Sequence, residues 1–283
     1  MHIKSSDWNT HGHQLQKSYN SVILHVVAIH DKEICTENGT QIPTLILPIL
    51  PHVKNNFTTF ADMNGKINCN NHIQTIDSSR ITLFLERLVA ERFEEKATHI
   101  AELFGNTNND WEETFYQLLA RNFGVKQNQE GFELLAKSLP QRIIAKHKGN
   151  LLQVEALFFG QANLWTNNAD EYEQSLKKEY QFLQKKYGLS PISPTWWKFA
   201  RMRPSSFPTI RIAQFAKLVN SSQSLTSKIL NCANYEDLKS LLYCSTSVYW
   251  EHHYTFGTIS TKHSAQIGES MLEILVINAI IPF

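Results

Sequence analysis

The run Val22-Ile23-Leu24-His25-Val26-Val27-Ala28-Ile29 decides the first part of the fold, because it is apolar on both faces and rich in β-branched residues. Such a run is typical of an interior strand that is covered on each side. A second β-branched run, residues 42–47, follows the polar turn Glu37-Asn38-Gly39-Thr40, and together they predict a pair of strands. Residues 1–50 are therefore predicted to form a small sheet with residues 22–29 in its interior.

From Asp77 onward the pattern is helical, with apolar residues at steps of three and four behind an Asp77-Ser78 cap. Gly105 is predicted to end this helix, and Gly124 to end a second one, residues 109–123, with positive φ. Further helices are predicted at residues 131–139, 140–146, 151–163, 170–187, 209–219, 235–243 and 264–281. The expected fold class is α+β and predominantly α-helical, with a small α/β lobe at residues 1–76 packed on a helical domain at residues 77–283.

Composition limits the function classes. The 283 residues include 27 basic and 26 acidic side chains, so the net charge of the whole molecule is not expected to attract nucleic acid. A local basic patch is compatible with this balance. The four cysteines lie far apart without a CxxC pair, which predicts neither a zinc site nor a disulfide framework and favours a reducing cytoplasm. The most apolar stretch, residues 272–281, is shorter than the roughly 20 residues of a membrane span and predicts a buried helix, so no membrane partner is expected.

Both ends of the sequence predict a fragment of a longer protein. A strand pattern begins at residue 2 and an apolar helix pattern reaches the last residues. Domains usually begin and end in polar, frayed segments. A complete small protein is the alternative interpretation.

The stretch HIKSSDWNTHGHQLQKSYNSVILHVV, residues 2–27, resembles an uncharacterised family found mainly in Bacteroidetes-type bacteria, domain of unknown function 2851. The likeness continues through NDWEETFYQLLARNFG (109–124), EALFFGQAN (155–163), RMRPSSFPTIRIAQFA (201–216) and HYTF (253–256). Relatives carry a GPDF-like segment and a strand similar to VEIHLK before this point, and a cysteine-bearing stretch after the last helix. The resemblance implies that this chain begins inside that strand and ends before that tail.

The resemblance also implies a nuclease-like ancestry, with the small sheet as a remnant of a PD-(D/E)xK-like core. In that class an Asp on one strand and a (D/E)xK on the next hold a divalent metal. His2 stands at the second acidic position and Lys4 at the lysine, and alternate strand residues share a face. Both upstream acids are absent, and Asp7 need not replace the oxygen ligands that Mg²⁺ prefers. His2 and Lys4 are thus catalytic candidates of an incomplete site, with no cofactor expected in this chain and a divalent metal expected in the full-length protein. The alternative is a simple pairing of Lys4 with Asp7 across the strand end.

Histidines are concentrated near the N-terminus, where five of the twelve lie within the first thirty residues. His11 and His13 place two imidazoles on one side of an extended segment, and Asp7 or His25 could complete a zinc or manganese site. A polar loop with satisfied hydrogen bonds is the preferred interpretation, because spacing alone leaves the geometry undetermined.

Arg201, Arg203 and Arg211 form the strongest anion-binding candidate. Guanidinium groups suit phosphate, and a proline at position 208 suits the first turn of a helix whose N-terminus favours negative charge. Nearby Trp196, Trp197 and Phe207 could stack on bases. The alternative, which is slightly preferred, is that the arginines pair with carboxylates such as Glu155 and hold adjacent helices together.

Two functions of different classes fit these patterns. One is a metal-dependent nuclease-like protein acting on DNA or RNA, present here without part of its catalytic lobe and expected to be inactive as given. The other is a non-enzymatic helical scaffold that binds nucleic acid or a protein partner through residues 201–211. No P-loop, G-x-S-x-G or HExxH motif occurs to favour another class.

Overall fold

The computed structural model describes residues 2–48, 50–53, 76–221 and 224–283. The chain divides into two compact units, residues 1–92 and residues 93–283. The fold is α+β and mainly helical, as predicted, with a small parallel sheet near the N-terminus.

The N-terminal unit contains three parallel strands, β1 (His2–Lys4), β2 (His25–Ile29) and β3 (Thr44–Ile46), in the order β1-β2-β3. The expectation that the run at residues 22–29 supplies an interior strand is confirmed, although the strand begins only at His25. The register places His2 beside Val27 and His25 beside Thr44.

The polar turn at residues 37–40 does not join β2 to β3 as a hairpin, because these strands are parallel. It closes a local antiparallel bridge between Cys35 and Gln41 instead. The connection at residues 30–43 is long enough to return the chain to the starting end of the sheet, which a parallel neighbour requires.

The core of this unit is small. Trp8, in the short helix α1 (Asp7–Thr10), is buried together with Ile34 and Ile42. Its indole Nε1 donates to the carbonyl oxygen of Cys35 at 3.0 Å. The predicted cover on both faces of the sheet is not found among the described residues, since β2 buries His25 and Val27 and leaves the alternate positions half-buried.

A 29-residue helix, α2 (Ser78–Asn106), crosses the boundary between the units. Gly105 does not end it, because the chain leaves the helix after Asn106 through left-handed Asn108 and Asn109. Gly124 is also not left-handed: its φ is −68°. A Cβ at Gly124 would collide with the backbone of Asn128, so glycine is required there for close approach.

The helical unit continues through nine further helices within its described residues. Polar caps fix several starts: the side chains of Asp110, Asn150, Asp170 and Asn234 each accept a backbone N–H of the first turn. The last helix begins at Glu269 and not at the predicted residue 264, and it passes into a π-turn, Val276–Ile280. The helices are α3 (Trp111–Phe123), α4 (Val125–Ser138), α5 (Gln141–Ala145), α6 (Leu151–Ala162), α7 (Glu171–Tyr187), α8 (Pro208–Ser221), α9 (Leu225–Leu230), α10 (Tyr235–Leu242) and α11 (Glu269–Leu275), with an antiparallel pair, β4 (His253–Thr255) and β5 (Thr258–Ile259).

Helix α6 is the centre of the helical core, since every side chain from Val154 to Ala162 is buried. It packs against α7 and α8, and Gly160 lies directly beneath the ring of Tyr180. At another side of the core, α11 packs on α3, and the ring of Phe283 lies 4.8 Å from that of Phe115. Within the described residues, no helix is long and apolar enough to cross a membrane.

Candidate functional site

Strand β1 places His2 and Lys4 on one face of the sheet, as predicted from their spacing. His2 is half-buried and Lys4 is exposed. The parallel register brings β2 alongside, so that Nδ1 of His2 and Nε2 of His25 lie 2.8 Å apart in a hydrogen bond. This bond links two imidazoles that are 23 residues apart in sequence.

His11 and His13, which follow α1, complete a cluster of four imidazoles around His2. Ring centres lie 5.3 Å from His2 to His11, 5.4 Å from His2 to His13 and 5.1 Å from His2 to His25. The buried indole of Trp8 contacts His13 and His25 edge-on. The structure therefore assembles the predicted histidines, and the interpretation of a simple polar loop is incomplete. We call His2, His11, His13 and His25 the histidine cluster.

Two members of the histidine cluster, His2 and His25, have pKa values that favour the neutral imidazole. Burial lowers the pKa of His2, and the neighbouring histidines lower it further. Burial also lowers the pKa of His25, against an opposing effect from the carboxylate of Asp7. Neutral imidazole is the form that accepts a proton or binds a metal ion.

Asp7 contacts Lys4 differently from the predicted side-chain pairing. Its Oδ2 accepts from the backbone N–H of Lys4 at 3.0 Å. Among the described residues the Lys4 ammonium makes no ion pair. Asp7 thus fixes the strand end and leaves the lysine side chain directed to solvent.

Asp31 is a supporting residue that the sequence reasoning missed. Its carboxylate accepts from the backbone N–H and the hydroxyl of Ser6 and from the hydroxyl of Ser5. The hydrogen bonds from Ser6 lower its pKa to about 2. Its position two residues after β2, at the sheet end where β1 also ends, is the signal that could have identified it.

The histidine cluster offers imidazole nitrogens as possible ligands for a metal ion. Imidazoles that share one ion at about 2 Å from each nitrogen have ring centres about 5 Å apart, close to the separations in the histidine cluster. As oriented, the nitrogens do not surround one point: in the described part of the chain, no three His, Cys, Asp or Glu side chains are arranged to hold an ion. The nitrogen ligands of the set are of the type that Zn²⁺ and Mn²⁺ accept, and the set lacks the oxygens that Mg²⁺ requires.

The three candidate arginines lie in the helical unit, around the start of α8. Arg201 and Arg203 are exposed, and Arg201 adopts left-handed φ of 59°. Arg211 is half-buried, with Nη1 donating to Gln214 at 2.9 Å and Nη2 3.5 Å from the hydroxyl of Ser206. Burial lowers the pKa of Arg211 to about 10.

The preferred interpretation, that these arginines pair with Glu155, is wrong. Glu155 is fully buried in α6, where it accepts from the hydroxyls of Tyr172 and Ser247. Burial raises the pKa of Glu155 to about 7. Among the residues described, no carboxylate forms an ion pair with Arg201, Arg203 or Arg211.

Comparison with known proteins places the chain in a family without assigning an activity. No curated protein gives a significant match, and no solved structure does either. One family, described as a protein of unknown function, DUF2851, matches residues 1–283. That match covers both units, the histidine cluster and the arginine segment, and it agrees with the resemblance found in the sequence motifs. The chain therefore belongs to the DUF2851 family.

Proposed function

We propose that this chain is a nuclease-like protein that acts on nucleic acid, with the histidine cluster as its reaction centre. In this proposal the imidazoles take the place of the missing strand acids, whose absence was the reason to expect an inactive fragment. The observation that supports this most is the convergence of four imidazoles from β1, β2 and the segment after α1. Charging one imidazole disfavours charging the next, so placing four together is unfavourable when they are protonated. Hydrophobic packing alone does not account for such a cluster. Neutral imidazoles beside an exposed lysine are a suitable set of groups for phosphodiester hydrolysis.

Each group has a role that follows from its contacts. The hydrogen bond to His25 fixes the ring of His2 and the nitrogen that it leaves available. A neutral imidazole in the cluster accepts a proton from the attacking water, and the imidazolium so formed returns that proton to the leaving oxygen. Lys4, on the same strand face, compensates negative charge on the phosphate. Asp7 holds the backbone of Lys4 and so positions it.

A divalent ion would be held by His2, His11 and His13, whose ring centres lie 5.3–5.7 Å from one another. It would supply a water of lowered pKa and a Lewis acid for a phosphate oxygen. Because imidazole ligands suit Zn²⁺ and Mn²⁺, these ions should support activity where Mg²⁺ does not.

The cytoplasm, where nucleic acids are accessible, is the proposed compartment.

The competing proposal is a non-enzymatic scaffold that binds nucleic acid or a protein partner through residues 201–211. It predicts binding without cleavage. Among the described residues the three arginines make no ion pair, which supports binding of a polyanion. The histidine cluster supports cleavage, so the two proposals are tested separately.

The test of the nuclease proposal uses the full chain and fluorescein-labelled DNA and RNA, each single-stranded and duplex. Reactions contain Mn²⁺, Zn²⁺, Mg²⁺ or EDTA. We expect cleavage with Mn²⁺ or Zn²⁺ and none in EDTA. His11→Ala and Lys4→Ala should lower the cleavage rate by about 100-fold or more, the scale of a lost acid–base or electrostatic group.

His30→Ala is the matched control, because His30 lies in the same unit but outside the histidine cluster. Among the described residues, its one side-chain hydrogen bond or ion pair is with Glu33, at 3.3 Å. Its cleavage rate should equal that of the wild type, and thermal melts should show that all variants are folded. Absence of cleavage under every condition would refute the proposal. Equal cleavage rates for the His11 and His30 variants would show that the histidine cluster is not the reaction centre. RNA cleavage that persists in EDTA would show that the reaction needs no metal ion.

A further inference from the structure

Charge is strongly segregated in the helical unit. Residues 180–235 contain eight Lys and Arg residues and no Asp or Glu, in a chain whose totals are nearly balanced. In the part of the unit that is described, none of these eight makes an ion pair, whereas Arg121, Lys137 and Lys177 outside the stretch all do. The eight are Lys185, Lys186, Lys198, Arg201, Arg203, Arg211, Lys217 and Lys228. This distribution leaves positive charge available to an external anion.

Part of this stretch is held firmly by the core. Trp197 is 3% exposed and donates from Nε1 to the carbonyl oxygen of Ala162 at 2.8 Å. Its ring lies over Gly131, where a Cβ would approach it to 3.1 Å. Buried Asn128 accepts from the backbone N–H of Lys198 at 2.8 Å and donates to its carbonyl oxygen at 3.0 Å. The backbone of Lys198 is thereby hydrogen-bonded to α4, and the indole of Trp197 is hydrogen-bonded to α6.

The anchored segment presents one large aromatic ring and several cations outward. Trp196 is 42% exposed, beside the buried Trp197. Lys198, Arg201 and Arg203 are exposed on the residues that follow. Arg201 has a left-handed backbone conformation, and backbone strain of this kind is often found at functional sites.

Arg211 extends the same cationic region into the protein. Its guanidinium contacts Ser206, which lies in the short 3₁₀ turn Pro204–Ser206 that begins after Arg203. The turn and the start of α8 therefore share one positively charged neighbourhood. Among the described residues Arg211 makes no ion pair, and a half-buried guanidinium of this kind is stabilised by an anion that approaches from solvent.

We propose that residues 196–211 form a binding surface for single-stranded nucleic acid. The cations contact successive phosphates, and Trp196 stacks on an unpaired base. A duplex keeps its bases stacked internally, so it offers the cations a partner but leaves Trp196 unused. This surface does not depend on the histidine cluster, and its proposed partner would be bound whether or not it is cleaved.

The test measures binding of the full chain to fluorescein-labelled dT20 by fluorescence anisotropy in EDTA, which prevents metal-dependent cleavage. A 20-base-pair duplex and a fluorescein-labelled poly-glutamate peptide are measured in parallel. We expect the order dT20, then duplex, then peptide in affinity. We also expect a steep loss of affinity with rising salt, because phosphate contacts release counterions.

Variants separate the two kinds of contact. R201A/R203A should weaken dT20 binding by about tenfold or more and reduce the slope of log K against log salt by about 1.4, or about 0.7 for each phosphate contact. Trp196→Leu should weaken binding by about fivefold or more at an unchanged salt slope, and Trp196→Phe should retain much of the affinity, since a ring still stacks. Arg142→Ala, an exposed arginine on α5, is the matched control and should bind like the wild type.

Melting temperatures should be unchanged in all these variants, because the side chains are exposed. No binding of dT20 at 50 mM salt would overturn the proposal, as would equal affinities for R201A/R203A and the Arg142 variant. Tighter binding of the peptide than of dT20 would reassign the surface to an acidic protein partner. Binding in EDTA with no cleavage under other conditions would uphold this proposal and refute the nuclease.

Discussion

Replacing Glu155 with Gln tests the energetics of the most unusual buried group in the helical unit. Glu155 is fully buried in α6, and its acceptor oxygens are satisfied by the hydroxyls of Tyr172 and Ser247. Glutamine has nearly the same shape and no charge. Its carbonyl oxygen accepts from Tyr172, and its amide donates to the Ser247 oxygen, so the hydrogen bonds are retained.

The magnitude follows from the pKa of Glu155, which burial raises from its ordinary value of 4.5 to about 7. Folding therefore favours the protonated carboxyl. The stabilisation is complete below the pKa of the unfolded chain and is lost as pH rises through the pKa of the folded chain. The difference corresponds to about 3 kcal/mol between pH 4.5 and pH 7. This is a large fraction of the 5–15 kcal/mol that is typical of a domain.

The assay is urea denaturation of the wild type and Glu155→Gln at intervals from pH 4.5 to pH 8, followed by far-ultraviolet circular dichroism. We expect the free energy of unfolding of the wild type to fall, relative to the variant, by about 3 kcal/mol across this range. The variant should be the more stable protein at pH 8. Because other groups titrate in both proteins alike, the difference between the two curves isolates Glu155.

Glu102→Gln, at an exposed position of α2, is the control. Its free energy of unfolding should change with pH in the same way as that of the wild type. Parallel curves for Glu155→Gln would refute the reasoning, since they would mean that the carboxyl titrates alike in the folded and unfolded chains. A variant that is less stable at pH 8 would show that the charged carboxylate is stabilised by its neighbours more than burial disfavours it.

Two further predictions concern packing and thiol chemistry. Gly160→Ala should lower the free energy of unfolding by about 3 kcal/mol, because the added methyl group overlaps the ring of Tyr180, whereas Gly105→Ala meets open space and should not destabilise the protein in urea titrations. Burial raises the pKa of Cys244 to about 12, so a maleimide at pH 8 should modify exposed Cys35 first, as followed by peptide mass spectrometry. Equal stabilities of the two glycine variants, or equal labelling of the two cysteines, would contradict the packing described.

The helix starts were predictable because their signals are local. Asp110, Asn150 and Asp170 each lie one residue before an observed helix and accept a backbone N–H of its first turn. A capping side chain and the N–H that it satisfies are at most three residues apart, so both are visible in a short window of sequence. The predicted starts at these positions were therefore within two residues of the observed ones.

Helix ends and strand directions depended on distant contacts. Gly124 was expected to supply positive φ, yet it is required because the backbone of Asn128 approaches it. Periodicity identified the β2 run as a strand but carries no information on direction, and the local turn at residues 37–40 favoured a hairpin over the observed parallel pair. The direction is a property of the whole connection and not of the turn.

The candidate site also depends on contacts between residues that are distant in sequence. His11 and His13 were recognisable as a pair, whereas their approach to His2 and His25 depends on the parallel register of β1 and β2. Glu155 looked like a partner for arginine because a carboxylate in an apolar helix needs one. The sequence contains no signal that Ser247, 92 residues later, supplies a hydroxyl instead.

The packing of Phe283 and α11 on α3 has a consequence for synthesis of the chain on the ribosome. The apolar face of α3, which includes Phe115, is covered by the ring of Phe283 and by α11. At about 5–20 residues per second, that face would wait roughly 10–30 s for its covering residues to be made. During this interval the nascent helical unit exposes an unfinished hydrophobic surface, so we expect its tendency to aggregate to be greatest then.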